Sequence, residues 1–464
     1  MNARACALLV SMGMAVFGCS DPSSSPEGDT NDAGDASAVD APAVIACAAP
    51  TKGPTKHDEF IRKDETWTAD ASPHVLTWDV YVADGATLTI EPCAEVLLEK
   101  GLVLGTRGGN LVAEGTAHKP IRIAGQDGAE WTKLELNSPG VARLAYVTVE
   151  GGGGADVNDQ DGASVEVRGN GGPLPAPEVL YVDHVTVKGS RGAGVAVFGH
   201  ATFAPGSHDL VVTGSGGDKF PFPISIEEHS IDALPTGSYT GNKKDEIYLR
   251  LAGAGTAGDG LKVDATLHDR GVPYRLDGSF NVAVNEDGDK LATLTIEPGV
   301  TMKFPKGKAF KVETWTSDAH ATGAVRALGT ADRPIVFTSA EDSPAPGDWM
   351  GFWFGGVPSA ENKLDHVVIE YAGASCACSL ASCSDLEYYE GAVMLTNRPA
   401  GRTAFITNTT IRHVAGHGIV EGWRGDGDTS IDFQPTNTFE GVSGCVQTRP
   451  LNNQGCPKPK PACW

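Results

Sequence analysis

The sequence predicts an all-β solenoid, in which short strands form successive coils that stack on one another. One stretch occurs twice: Thr87–Ile123 and Thr293–Phe337 share the phrases Leu-Thr-Ile-Glu-Pro and Gly-Thr-Ala-x-x-Pro-Ile. Apolar residues alternate over short runs that end at Gly or Pro, which is typical of strands. No segment shows a sustained helical period with caps, so the fold class is all-β.

Residues 1–18 have the composition of an export signal. Arg4 supplies a weak positive charge, and the apolar run Ala5–Phe17 is too short to span a bilayer as a stable helix. The run ends in Val-Phe-Gly-Cys19, which resembles the lipobox of bacterial lipoproteins, with Phe17 bulkier than the residue usual there. The resemblance implies that Cys19 is lipidated. The alternative is an ordinary secretory signal in which Cys19 has no role.

Residues 19–65 form a linker rich in Ser, Pro, Asp and Ala, which we interpret as a dispensable spacer. As far as about Pro50 it has six acids before residue 41 and too little apolar surface to fold. Ser20 follows Cys19 directly, so the simplest inner-membrane retention signal is missing. We therefore expect a lipid-anchored protein at the outer membrane or cell surface.

Two similar modules follow, at residues 66–265 and 266–440. The offset between matched positions grows from 206 at Ile90 and Ile296 to 224 at Val185 and Thr409, as when loops change length between conserved coils. The largest insertion is a Cys-containing loop at residues 374–387. A Cys-containing tail, residues 441–464, is expected to fold back and cap the open end of the solenoid.

The repeated phrases are similar to those of the right-handed parallel β-helix repeat of the pectin-lyase-like fold. The similarity rests on the two shared phrases, on Trp131 and Trp349 before the next strand, and on a closing strand such as Val147–Glu150. It covers about Trp67–Phe439 and implies a single-stranded right-handed parallel β-helix. We expect the two Trp side chains to pack in the core or a groove; the alternative is a platform for sugar stacking. The fold hosts lyases, hydrolases, adhesins and inert surface proteins, so it does not fix an activity.

Of the ten cysteines, Cys6 leaves with the signal and Cys19 takes the lipid. An even number then remains in an exported chain, which indicates disulfides. Zinc is the alternative, but no paired C-x-x-C motif is present. The candidates, whose pairing the sequence leaves open, are Cys47, Cys93, Cys376, Cys378, Cys383, Cys445, Cys456 and Cys463.

No complete catalytic set is recognisable. Gly416-His417-Gly418 matches one motif of polysaccharide hydrolases on this fold, but the companion motifs are absent, and we interpret His417 as a substitutable loop residue. Asp183-His184 and Asp365-His366 resemble two letters of a pectate-lyase motif, and we place both before ordinary strands. The sequence thus assigns no catalytic residue.

Acidic turns are the better candidates for ion binding. Ca²⁺ takes six to eight oxygen ligands, and several carboxylates lie close together in Gly-containing turns. Solvated turns without an ion are the alternative. The candidate Ca²⁺ ligands are Glu286, Asp287, Asp289, Asp426, Asp428 and Asp432.

The net charge of −23 disfavours nucleic acid as a partner, because phosphate binding needs a surplus of Lys and Arg. We expect a monomeric, lipid-anchored surface protein whose β-helix is a non-catalytic module for binding or structure, with a glycan or cell-surface molecule as ligand. The alternative is a carbohydrate-active enzyme, a polysaccharide lyase or glycoside hydrolase.

The lipid anchor predicts that Cys19→Ala releases the protein from membranes, because the substitution removes the only lipidated side chain. Membrane fractionation of cells expressing either form measures this, with Cys6→Ala as a control that leaves Cys19 in place. Unchanged fractionation of the Cys19 variant would contradict the anchor.

Overall fold

The computed structural model describes residues 46–154, 161–251, 260–282, 292–312, 323–375, 390–423, 429–450 and 462–464. Its strands belong to one compact unit, Val44–Trp464. Within the described ranges the only helices are single 3-10 turns at Ala69–Ala71, Gln126–Gly128 and Glu228–Ser230. None of these has the length or hydropathy to cross a membrane.

The strands are short and follow one another along the whole unit. Those of the first part are β1 Thr55–His57, β2 Glu65–Trp67, β3 His74–Leu76, β4 Val80–Ala83, β5 Thr87–Ile90, β6 Glu95–Leu98, β7 Val103–Arg107, β8 Asn110–Glu114, β9 Ile121–Gly125, β10 Lys133–Asn137, β11 Ala142–Ala145, β12 Val147–Glu150, β13 Val165–Arg168, β14 Glu178–Lys188, β15 Val195–Phe198, β16 Thr202–Phe203, β17 His208–Thr213, β18 Ile224–Glu227, β19 Gly237–Ser238 and β20 Ile247–Arg250. Those of the second part are β21 Ala265–Leu267, β22 Tyr274–Leu276, β23 Phe280–Val282, β24 Ala292–Ile296, β25 Thr301–Phe304, β26 Ala309–Val312, β27 Gly323–Leu328, β28 Ile335–Ser339, β29 Gly351–Phe354, β30 Lys363–Asp365, β31 Val367–Glu370, β32 Gly391–Leu395, β33 Ile406–Thr407, β34 Thr410–Val414, β35 His417–Glu421 and β36 Thr438–Val442.

Strands of successive coils pair in parallel and form four sheets. Sheet 1 has the order β1-β3-β6-β9-β12-β14-β11-β8-β5-β2, with β16, β17 and β19 attached beyond β14. Sheet 2 runs β36-β34-β31-β28-β25-β22-β20-β18-β15-β13-β10-β7-β4. Sheet 3 is β21-β24-β27-β30-β33 and sheet 4 is β23-β26-β29-β32-β35. Every second or third strand along the chain returns to the same sheet, so the predicted all-β parallel β-helix is confirmed.

The core is built from inward columns in which one residue of each coil contacts its equivalent in the next. Sheet 2 shows this best, because its strands keep register through both modules. Its inward column begins at Val80 and contains Leu104, Leu134, Val165, Val195, Ile224, Ile247, Tyr274, Met302, Phe337, Ile369 and Ile411. All of these side chains are buried. Stacking of like on like removes apolar surface from water at every coil.

The composition of the core differs between the modules. The low aromatic content predicts a core of Val, Ile, Leu and Ala, which describes most of the first module, although Trp67, Trp131, Phe203 and Tyr239 are also buried there. In the second module a run of stacked rings replaces aliphatic side chains: Phe304 lies 4.4 Å from Trp349, and Phe310 lies 4.8 Å from Phe352, centroid to centroid. The expectation is therefore wrong for the second half, because the few aromatic residues are concentrated on the same inward columns.

The repeated Gly-Thr-Ala-x-x-Pro phrase forms the same turn in both modules. A Cβ on Gly115 would lie 2.8 Å from the carbonyl oxygen of Lys119, and one on Gly329 would lie 2.3 Å from that of His366. The next residue, Thr116 or Thr330, accepts a hydrogen bond at 3.1 Å through Oγ1 from the backbone N–H three positions later. The phrase recurs because the turn leaves no room for a larger residue than Gly and needs the Thr hydroxyl.

Trp131 and Trp349 are equivalent core residues, as the sequence predicts. Both are fully buried. The indole Nε1–H of Trp131 donates to the carbonyl of Glu150 at 3.0 Å, and that of Trp349 donates to the carbonyl of Glu370 at 2.8 Å. Each indole thus fills the interior and satisfies a backbone carbonyl of its own coil, so neither ring is a platform for sugar.

The β-helix begins earlier than the sequence suggests. The linker was expected to extend to residue 65, but β1 pairs in parallel with β3 between Thr55 and His74. His57, Trp67 and His74 pack together at this end, with the rings of His57 and Trp67 4.1 Å apart. The boundary at 65 is wrong because the first strands contain many polar residues and lack a clear apolar alternation. Residues 1–45 lie outside the described ranges.

The two modules are joined with an offset of one face. The equivalent strands β6 and β25 are in different sheets, since β6 lies in sheet 1 and β25 in sheet 2. The offset arises where β20, on the first module's part of sheet 2, pairs with β22, the equivalent of β3 of sheet 1. Sheet 2 therefore continues through the junction, whereas sheet 1 ends at β19 and sheet 3 begins at β21.

Two described residues of the tail, Gln447 and Thr448, pair with the end of the solenoid and with the last residues of the chain. Gln447 pairs in parallel with Ile419 of β35, and Thr448 bridges to Cys463. Gln447 is fully buried, and its side chain accepts from the N–H of Phe433 and donates to the carbonyl of Ile431. Residues 447–448 thus cover the edge of β35.

The buried indole predicts that Trp349→Phe destabilises the protein by roughly 2–3 kcal/mol, because the carbonyl of Glu370 loses its donor and a small cavity remains. Urea unfolding followed by circular dichroism measures the change. The matched control is Trp78→Phe, since Trp78 is 64% exposed and should change little. Equal effects of the two substitutions would contradict the role given to Trp349.

Candidate functional site

Most of the ion-binding residues predicted from the sequence cannot be placed. Glu286, Asp287, Asp289, Asp426 and Asp428 lie outside the described residues, as does the lipidation candidate Cys19. The sixth candidate, Asp432, is exposed, and its Oδ1 accepts a hydrogen bond from the N–H of Gln434 at 3.0 Å, within its own turn. Calcium binding by these residues stays a prediction.

Two disulfides join four of the cysteine candidates. Cys47 is bonded to Cys93, which ties the start of the compact unit to the coil after β5, and Cys445 is bonded to Cys463 in the tail. The remaining candidates fall outside the described ranges, namely Cys376, Cys378, Cys383 and Cys456. Both bonds therefore fasten an end of the β-helix.

His417 is a buried strand residue, which corrects its interpretation as a replaceable loop residue. It is the first residue of β35, and its Nδ1 accepts a hydrogen bond at 2.9 Å from the N–H of Cys445. The pattern of flanking glycines suggested a turn, but the Gly residues serve close packing: a Cβ on Gly416 would lie 2.2 Å from the carbonyl oxygen of Glu390. His417 thus holds the tail beside a disulfide.

A row of mostly polar residues, interrupted by Gly105 and Ala196, runs along the outer face of sheet 2. Its members pair in register from coil to coil, with apolar neighbours pointing inward. From Tyr81 onward the row contains Gly105, Glu135, Glu166, Ala196, Ser225, Tyr248, Arg275, Lys303, Thr338, Glu370 and Arg412. The row brings carboxylates and cations of successive coils side by side.

Glu166 is fully buried in this row and is held by two cations. Its carboxylate accepts from Lys133 Nζ at 2.9 Å and from Arg168 Nε. Burial raises the pKa of Glu166, while the hydrogen bonds from Arg168 and Lys133 oppose the rise. Since both cations are committed to this carboxylate, the trio is an internal salt bridge.

Two further carboxylates in or beside the row, Glu246 and Glu370, are also paired with cations. Glu246 accepts from Lys303 Nζ at 2.5 Å and contacts Arg275 at 3.4 Å. Glu370 accepts from the Thr338 hydroxyl at 2.9 Å and from Arg412. A glycosidase needs two carboxyl groups free to exchange protons or attack carbon, and these groups are instead bound to neighbours.

A cleft of 560 Å³ lies at the junction of the modules, where sheet 1 ends and sheet 3 begins. Its wall combines apolar groups with three carboxylates and an arginine. The lining residues include Ala176, Glu178, Phe203, His229, Asp232, Asp264 and Arg270. The offset between the modules creates this space, because the coil after β16 contributes no strand to continue the ladder toward β21.

His229 is the most unusual polar group of the cleft. Its side chain is only 5% exposed, and its Nδ1 is buried without a hydrogen-bond partner. Burial, followed by the neighbouring His200 and Lys262, lowers the pKa of His229 to about 4, so the ring is neutral at pH 7. Arg270, by contrast, is fixed by the carbonyl of Leu234, to which its Nε donates at 3.0 Å. The cleft therefore presents a neutral imidazole and carboxylate acceptors.

The two Asp-His pairs occupy positions at which the chain turns through a residue of positive φ. His184 and His366 both have φ of 52°. His184 follows Asp183 within β14, and His366 follows Asp365 at the end of β30. Asp183-His184 lies inside β14, so its expected place before a strand is wrong; Asp365 is the last residue of β30. The structure also brings His208 beside Asp183, which the sequence analysis missed. The length of one coil could have predicted this contact. Val185 pairs with Leu210, and the same separation along the chain places His208 next to Asp183.

Glu421 at the end of β35 makes stability depend on pH. It is fully buried, and burial raises its pKa to about 7, against hydrogen bonds from Ser430 and the N–H of Ile431. The folded state holds the Glu421 proton more tightly than the unfolded state does. The contribution of this protonation to the free energy of unfolding is therefore complete below about pH 4.5 and is lost as the pH rises through 7.

The stability of the Glu421→Gln variant relative to the native protein should therefore increase progressively as the pH rises from 4.5 to 7. The expected change in the difference between their free energies of unfolding is roughly 3 kcal/mol over this range. Urea unfolding of both proteins across this range measures it, with the exposed Glu99→Gln as the control. A difference that does not vary with pH would show that Glu421 is ionised in the folded protein.

Comparison with known proteins gives one match. Residues 260–378 match the model of a family described as pectate-lyase like beta helix domain. No curated protein matches the chain, and no solved structure does. The matched range contains β21 to β31, whose strands stack in parallel on sheets 2, 3 and 4. The chain thus has the parallel β-helix fold, and residues 260–378 are similar to a pectate-lyase-like β-helix domain.

Proposed function

We propose that this is an exported, lipid-anchored protein whose β-helix is a non-catalytic module that binds a glycan or another molecule at the cell surface. The lipobox-like sequence before Cys19 and the acidic linker support export and anchoring. The two disulfides are in keeping with an oxidising compartment. The net charge of −23 supports a monomer that does not bind nucleic acid.

The observation that carries the non-catalytic assignment is the pairing of carboxylates on the outer face of sheet 2. Glu166, Glu246 and Glu370 each have a Lys or Arg partner. A carboxylate locked in this way is a poor general acid or base, because removing its charge leaves a half-buried cation unpaired. The row therefore stiffens the solenoid.

The cleft at the module junction is the binding site that the geometry favours. Sugars present hydroxyl groups at their edges and C–H groups on their faces. Glu178, Asp232 and Asp264 offer acceptors for hydroxyl groups, and Phe203 and Ala176 offer apolar wall. The space of 560 Å³ is of the size that small-molecule sites occupy. A neutral saccharide unit fits this mixture better than an anionic one.

A carbohydrate-active enzyme is the second candidate, supported by the match of residues 260–378 to a pectate-lyase-like model. On this alternative the protein is a polysaccharide lyase or a glycoside hydrolase. Such an enzyme would use Ca²⁺ or free carboxylates, for which the acidic turns at Glu286–Asp289 and Asp426–Asp432 are the remaining candidates.

Purified protein is incubated with a panel of polysaccharides, with Ca²⁺ and with chelator, and both retention on immobilised glycan and product formation are measured. We expect retention without depolymerisation or unsaturated product. Ala176→Trp should weaken retention at least tenfold by filling the cleft, whereas Ala331→Trp on an exposed turn should not. Reproducible depolymerisation would establish the enzyme instead, and equal retention of both variants would exclude the cleft.

A further inference from the structure

One corner of the first module gathers imidazoles and carboxylates from two successive coils. At this corner the chain turns through a residue with positive φ, and the same geometry recurs at Tyr146, His184 and Asp209, with φ of 48°, 52° and 52°. Because β14 and β17 are in register here, Asp183 lies beside His208 and His184 lies beside Asp209. Two Asp-His pairs of opposite order are thus stacked on each other.

The polar atoms of the four side chains form a closed ring of short distances. Asp183 Oδ1 lies 2.5 Å from His184 Nδ1 and 3.7 Å from His208 Nδ1. Asp209 Oδ2 lies 3.0 Å from His208 Nδ1 and 3.5 Å from His184 Nε2. These imidazoles supply all the ion-pair contacts given for the two aspartates among the described residues.

The spacing suits a small divalent cation. One donor atom from each of Asp183, His184 and His208 can be chosen so that all lie within 4.8 Å of one another. Four donors about 2.0–2.1 Å from a tetrahedral ion stand about 3.3 Å apart, which is within the range seen here. The side chains are between a quarter and a half exposed, so an ion can enter from solvent.

The ring of His184 is held in place before any ion binds. Tyr146 of the preceding coil stacks on it, with the centroids 4.5 Å apart and the planes within 10°. A ligating imidazole uses one nitrogen for the ion and commonly donates its other N–H to a carboxylate. His184 has a carboxylate near each nitrogen, so one can share the ion while the other orients the ring.

The second module contains a similar corner that lacks these features. Asp365 and His366 form another Asp-His pair, but the residues that the next coil stacks on them are Thr407 and Asn408, whereas His208 and Asp209 stack on Asp183 and His184. The Thr407 hydroxyl and the Asn408 amide both donate to Asp365 Oδ1, at 2.9 and 2.8 Å. That carboxylate is satisfied by hydrogen bonds within the protein, and only one imidazole is present.

We propose that Asp183, His184 and His208 form a binding site for a divalent transition-metal ion of the Zn²⁺ type, with Asp209 as the adjacent carboxylate. Two imidazole nitrogens select such an ion over Ca²⁺ and Mg²⁺, which take oxygen ligands. None of these four residues is an acidic-turn candidate or lines the cleft, so the metal site does not depend on the proposed glycan binding.

The test is calorimetric titration of the full-length protein with ZnCl₂ after removal of bound metal by a chelator. We expect one Zn²⁺ per chain at this site, an affinity roughly 100-fold weaker in His208→Ala, and no displacement by millimolar Ca²⁺. Asp183→Asn should weaken binding in the same direction. The matched control, His366→Ala, should bind as the native protein does. Titration with Co²⁺ adds a spectroscopic readout, since nitrogen ligation gives visible absorption bands that His208→Ala should lose.

Circular dichroism and thermal unfolding of the metal-free variants establish that each is folded, which is expected for half-exposed side chains. The proposal is overturned if native protein and His208→Ala give the same Zn²⁺ titration, because other histidines then hold the ion. It is also overturned if His366→Ala weakens binding equally, or if the native protein binds no Zn²⁺ at micromolar concentration.

Discussion

Parallel, in-register pairing between successive coils is the interaction on which the rest of this structure depends. A single coil leaves its backbone N–H and C=O groups unpaired, and they are satisfied only when the next coil stacks in register. The same register places each inward side chain on its equivalent, as in the column from Val80 through Leu104 to Ile411. Backbone pairing and apolar burial therefore reinforce each other at every coil, which leaves the outward residues free to differ.

That freedom explains how two similar modules can be joined with an offset of one face. Backbone pairing does not depend on which face of the neighbouring coil is presented. The strand β20 of sheet 2 can therefore pair with β22, although β3, the equivalent of β22 in the first module, belongs to sheet 1. The consequence is a continuous sheet 2 beside an interrupted ladder between β16 and β21. The cleft lined by Phe203, His229 and Asp232 is a product of this interruption.

The polar groups fall into two kinds according to what the next coil provides. Where a cation stacks beside a carboxylate, as Arg412 does beside Glu370, the pair stabilises the outer face. Where an imidazole stacks beside a carboxylate, as His208 does beside Asp183, the pair remains able to accept a metal ion. At the similar corner formed by Asp365, the next coil supplies Thr407 and Asn408, which donate to the carboxylate and satisfy it within the protein.

The sequence by itself determined the fold class, the two modules and the structural role of the repeated phrases. It could do so because turns such as that at Gly115, and the burial of Trp131, depend on local geometry and on a repeated position. Only the tertiary structure decided the offset of the modules, the cleft, the burial of His417 and the meeting of Asp183 with His208. These depend on register between residues some twenty-five positions or more apart, which loop lengths change freely and which no short motif encodes.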